Sequence, residues 1–87
     1  MRKTYGYLAH IIIENYIQEV RRREEFWKLS EETEGEEYKF QYQKIGDAHA
    51  TAADAFLQII YDQNLTSRQK IRGMELDCIN AVRNKEE

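Results

Sequence analysis

From Tyr38 onwards, apolar and weakly polar residues recur at Tyr42, Ile45, His49, Ala52, Phe56 and Ile59, a 4-3-4-3-4-3 spacing that only a helix gathers onto one face. No proline occurs anywhere in the 87 residues, so nothing obliges that helix to stop. Glycine is scarce as well: four residues are too few for a turn-rich sandwich, and an all-α fold follows. Gly46 falls inside the stripe at a cost of about 1 kcal/mol against alanine, and it and Gly73 are the places where a helix can break.

Upstream, Leu8, Ala9, Ile12, Ile13, Tyr16, Val20 and Trp27 return at helical spacing after Tyr5, with Thr4 as the expected cap. The run Ser30–Glu36 interrupts the pattern, and Thr33 with Glu36 has the form of a capping box for the next helix. Beyond Asn64-Leu65, Thr66 and Gln69 repeat that form ahead of Ile71, Met74, Cys78 and Val82. Helices are therefore expected over 4–32, 35–63 and 66–84, followed by a charged tail. With short loops they make an antiparallel three-helix bundle, a single domain over 1–87, built on a long helical hairpin with a shorter third helix. A continuous rod through Gly35 is the competing arrangement. In the hairpin Trp27 is expected on Tyr42, Val20 on His49, Tyr16 on Ala52 and Ile13 on Phe56. Helix two is expected to be central, with Met74 on Phe56 and Cys78 on Ala52.

Acidic residues outnumber basic ones 16 to 13, for a net charge of −3, the wrong sign for a surface that clings to phosphates everywhere. The run Arg21-Arg22-Arg23 has glutamates at helical spacing beside it: Glu19 before Arg23, Glu25 after Arg21, and Glu24 before Lys28. Arg68, Lys70 and Arg72 open the third helix where a DNA-binding regulator would touch the duplex, but Glu75 and Asp77 follow directly. DNA binding through these three residues is the runner-up reading. The longest strongly apolar run, Ile11–Ile13, is far short of the ~20 residues of a membrane span. A lone Cys78 allows no disulfide framework, and a cytoplasmic setting is expected.

Chemistry-bearing constellations are sparse. His10 and Glu14 stand one turn apart, two ligands without a third, while His49 lies on the apolar stripe at the other end of the hairpin. Glu24, Glu25, Glu31 and Glu32 have no close pair of carboxylates opposite them on helix two to share a Mg²⁺ ion. Cys78 has only His49 within a turn as a base. No enzyme activity, no metal and no cofactor are expected.

What stands out is the hairpin tip. Glu31, Glu32, Glu34, Glu36 and Glu37 carry more negative charge than the net −3 of the whole chain, and Phe26, Trp27, Tyr38, Phe40 and Tyr42 lie beside them. Aromatic anchors ringed by one sign of charge fit a surface for a basic partner protein. The expected function is that of a small helical adaptor, regulator or inhibitor acting by protein contact. A homodimer or structural homo-oligomer without external ligand is the remaining alternative. In composition the chain resembles small helical accessory proteins of bacteria, phages and mobile elements.

Overall fold

A computed structural model of the chain describes residues 2–84, with side chains from residue 6 onwards. It consists of three helices, α1 (Arg2–Glu32), α2 (Glu36–Asp62) and α3 (Arg68–Arg83), packed as an all-α bundle measuring 52 × 26 × 18 Å. Among the described residues there is no strand, and no helix is long and apolar enough to cross a membrane. α1 is already helical at Arg2, so Thr4 lies inside the helix rather than at its cap. The side chains of Thr4 and Tyr5, and the charged tail, lie outside the described residues.

The hairpin turns within three residues, 33–35, and α1 and α2 are separate helices. The expected Thr33–Glu36 capping box is not what closes the turn. The Thr33 hydroxyl donates back to the Leu29 carbonyl at 2.6 Å, satisfying the end of α1, and Gly35 takes the N-cap of α2 with no side-chain bond. The tie across the turn comes from buried Ser30, whose Oγ donates to the Lys39 carbonyl at 3.0 Å while Lys39 Nζ donates to the Ser30 carbonyl at 3.2 Å.

The second turn is a Schellman motif. Asn64 adopts a left-handed φ of 55°, and Leu65 N–H reaches the Ile60 carbonyl at 3.0 Å while Asn64 N–H reaches Tyr61 at 3.2 Å. Asparagine is the residue after glycine that best tolerates that conformation. α3 is capped one residue later than the Thr66–Gln69 pattern suggests: Ser67 Oγ accepts from the Lys70 N–H at 3.1 Å.

The core holds Tyr16 and Val20 of α1, Ala53 and Ile60 of α2, and Ile71 and Cys78 of α3. Each large apolar member contributes about 1.5–3 kcal/mol of burial. Burial, with the charge of Glu75 adding to it, pushes the Tyr16 phenol up to about 12. The α2 stripe has the expected spacing but a different phase. The residues it buries are Gly46, Ala53 and Ile60, each one position beyond Ile45, Ala52 and Ile59, while Tyr42, His49 and Phe56 are half-buried at its edge. Trp27 sets that phase. A Cβ at position 46 would stand 2.4 Å from Trp27 Cδ1, so the indole needs a glycine beneath it. Trp27 thus packs on Gly46, not on Tyr42, and α2 runs through Gly46 unbroken. α3 likewise continues through Gly73, which faces open space.

The central helix is α1, not α2. α3 packs on α1 and runs parallel to it: Lys70 and Met74 share a groove with Ala9 and Ile13, Cys78 Sγ lies 3.7 Å from the Ile17 carbonyl midway along α1, and Lys28 Nζ lies 3.3 Å from the Val82 carbonyl near the far end. Cys78 therefore seats on α1 rather than on Ala52, and Met74 lines the α1–α3 groove beside Glu14 and Ile17. Beside the buried Ile71, Cys78 and Val82, an ion-pair network joins the two helices. Glu24 is buried at 5% exposure, and its two oxygens are taken by Arg23 Nε at 3.1 Å and Arg83 Nε at 3.2 Å. Arg83 reaches on to Glu31 at 2.6 Å, and Arg23 to Glu75 at 3.7 Å. Hydrogen bonding to Glu31, then to Glu24, pushes the Arg83 pKa further up. Charges of α1 are thus paired both within the helix, Arg23 with Glu24, and across to α3 through Arg83 and Glu75.

Candidate functional site at the hairpin tip

The tip joins the last turn of α1 to the first of α2. All five glutamates, Glu31, Glu32, Glu34, Glu36 and Glu37, are exposed there. Glu36 and Glu37 sit in the first turn of α2, where the helix dipole favours negative charge. Glu31 and Glu32 end α1, where it does not, and Glu31 is offset by Arg83.

The five aromatics do not form one patch. Phe26 faces Tyr42 with ring centroids 6.4 Å apart and stacks on His49 at 5.8 Å and 13°. His49 Nδ1 lies 2.6 Å from Glu19 Oε1, which ties the stack to α1. The Trp27 Nε1 donates to Asp47 Oδ1 at 3.1 Å, and the Arg23 guanidinium lies 5.3 Å from the indole centroid. Phe26, Trp27 and Tyr42 thus belong mainly to the hairpin seam. Tyr38 and Phe40 are each 61% exposed, but two residues apart they point about 200° from each other around α2. Lys44 Nζ lies 5.3 Å from the Phe40 ring.

What the tip does form is a groove of about 330 Å³ between α1 and α2, lined by Trp27, Ser30 and Glu31 on one helix and Lys39, Gln43 and Asp47 on the other. Of these, only Trp27 and Glu31 stand out in the sequence. The signal for the rest is the row Lys39, Gln43, Asp47, four residues apart, on the polar side of the α2 stripe. Its meaning depends on the phase that Trp27 imposes. The groove presents an aromatic edge, the carboxylates of Glu31 and Asp47, one oxygen of each already held by Arg83 and by the Trp27 N–H, and the Lys39 ammonium, turned onto the Ser30 carbonyl. An aromatic edge beside carboxylates is a lining that receives a guanidinium or an ammonium group.

The other candidate residues lie apart. Arg68, Lys70 and Arg72 are exposed at the start of α3, with the Arg68 guanidinium 4.2 Å from the Tyr61 centroid. His10 Nε2 and Glu14 meet at 3.0 Å on the outside of α1, away from His49. No group of three His, Cys, Asp or Glu among the described residues is placed to hold a metal ion. Cys78 is buried, and burial pushes its thiol pKa up, with Arg21 pulling against it. No family model, no curated protein and no solved structure matches this chain.

Proposed function

We propose that this chain acts by protein contact, as an adaptor, regulator or inhibitor, and that the hairpin tip receives a basic segment of its partner. The observation that carries this reading is the groove of about 330 Å³ lined by Trp27, Glu31 and Asp47, with exposed glutamates along its rim. A lysine or arginine entering it meets the second oxygen of Asp47, whose first accepts from Trp27, and the second oxygen of Glu31, whose first is held by Arg83, while Lys39 on the same wall is turned onto the Ser30 carbonyl. The rim glutamates add long-range attraction, which speeds encounter and rejects acidic surfaces.

Trp27 is the single tryptophan of the chain, so its emission reports on the groove wall and on the seam with Gly46 beneath it. Titration with an arginine-rich peptide is expected to give a saturable change that weakens steeply with salt, and a glutamate-rich peptide of equal length none. Asp47→Asn, which removes charge, keeps shape and leaves the Glu31–Arg83 pair intact, should weaken the binding about 3-fold. An equal response to both peptides, or none to the basic one, sinks the reading.

A further inference from the structure

α2 carries more apolar surface than its neighbours cover. α1 takes the lane of Gly46, Ala53 and Ile60, and α3 packs on α1. Left outside is a second lane, Tyr38, Ile45, Ala52 and Ile59, spaced by seven residues, with Tyr38 61%, Ile45 40% and Ile59 41% exposed. Beside it runs a third row, Lys44, Ala48, Thr51, Ala55, Gln58 and Asp62, spaced 4-3-4-3-4. Ala48 and Ala55 are exposed, and the row begins with a cation and ends with an anion.

We propose that a second copy of this chain packs antiparallel on this face of α2, about a two-fold axis near Ala52. The face matches itself only in that orientation. Ile45 and Ile59 lie seven residues to either side of Ala52, so the axis sets Ile45 of one copy on Ile59 of the other and Ala52 on Ala52. Ala48 and Ala55 let the helices close to about 8 Å. The same axis brings Lys44 of each copy beside Asp62 of the other, giving two ion pairs; a parallel pairing would set Lys44 against Lys44 and Asp62 against Asp62. Lys44 now rests over Phe40, and Asp62 accepts from Gln58 at 3.0 Å, both surface contacts that can be exchanged.

About that axis Tyr42 of one copy lies level with Asp62 of the other, where α2 ends, so the two helices overlap over about 30 Å, one helix wide, roughly 400 Å² on each copy. The total of roughly 800 Å² falls below the range of stable specific interfaces, so the dimer is expected to be weak, with a Kd in the micromolar range or above. The inference stands apart from the tip groove, which lies on another side of α2.

Sedimentation equilibrium of the full chain between about 1 and 300 µM tests it, the range bracketing the expected Kd. The mass should rise from 10.4 kDa towards twice that value. A mass that stays at 10.4 kDa throughout overturns the proposal. Ala52→Glu should keep the chain monomeric, and Ile59→Lys, at a more exposed position, should do the same should the first variant lose its helical circular dichroism. A dimer that survives Ile59→Lys in a folded chain places the contact elsewhere and refutes this face. Lys44→Glu alone should weaken the dimer about 10-fold, and adding Asp62→Lys should restore it. Failure of that restoration overturns the antiparallel register.

Discussion

Where α1 meets α2, the indole of Trp27 lies on a glycine with no room for one further carbon; where α1 meets α3, a buried carboxylate is held between two arginines. The first seam turns on shape, and the second adds charge to the buried Ile71, Cys78 and Val82. A shape seam tolerates salt and pH but not added volume. A charge seam tolerates modest changes of volume, yet it depends on every partner being present, because an ion left alone in a buried site keeps its desolvation cost and loses its compensation. α1 carries both seams on adjacent faces, which makes it the central helix.

The largest effect is expected from breaking the charge seam. Glu24→Ala leaves Arg23 with only the long contact to Glu75 and Arg83 with only Glu31, their side chains being 12% and 31% exposed, and should cost about 3 kcal/mol of stability in urea denaturation. Amide exchange should quicken in α3 well before α2. A loss below about 1 kcal/mol would mean that Ile71, Cys78 and Val82 hold α3 without help, and that the two seams are alike after all. This seam was the least legible part of the sequence. A glutamate in Arg23-Glu24-Glu25 looks like any solvated helix residue, and spacing pairs it with Lys28. Its burial follows from where Arg83 arrives, 59 residues later.

The shape seam is broken by Gly46→Ala. Helix propensity favours the change by about 1 kcal/mol. The new Cβ would stand 2.4 Å from Trp27 Cδ1 and 2.6 Å from Nε1, so the indole must move and its bond to Asp47 is strained. A net loss of about 2 kcal/mol is expected, with altered Trp27 emission, and Trp27→Phe in the same chain should recover part of it. Here the sequence was half legible. The stripe's period survives folding because 3.6 residues per turn is a property of the backbone, and so the helices, their order and the hairpin could be read. Its phase could not, because glycine and alanine add little to an apolar pattern and yet mark where a large neighbour is seated. The same blindness affected the tip. Trp27 and Tyr42 are expected on each other and, with Phe26, as anchors beside the acidic turn, whereas the phase puts Trp27 on Gly46 and makes Gln43 and Asp47, which no apolar spacing singles out, the far wall of the groove.

The smallest effect reverses the sign. Gly73 lies inside α3 as Gly46 lies inside α2, but nothing stands within 4 Å of a Cβ built there. Gly73→Ala therefore gains helix propensity without a steric penalty and should stabilise the chain by about 1 kcal/mol, a rise in Tm of roughly 5 °C for a domain of this size. Because α3 is fastened by side chains of fixed position, Glu75 to Arg23 and Arg83 to Glu24, a stiffer helix between them should also strengthen the charge seam, and the benefit should shrink when Glu24→Ala is present. Thermal unfolding of Gly73→Ala, Glu24→Ala and the double variant measures that coupling. Equal gains in both backgrounds would show that α3 is helical independently of its anchors, and a loss in the first would mean that the outer face of α3 is covered by something not present in the single chain.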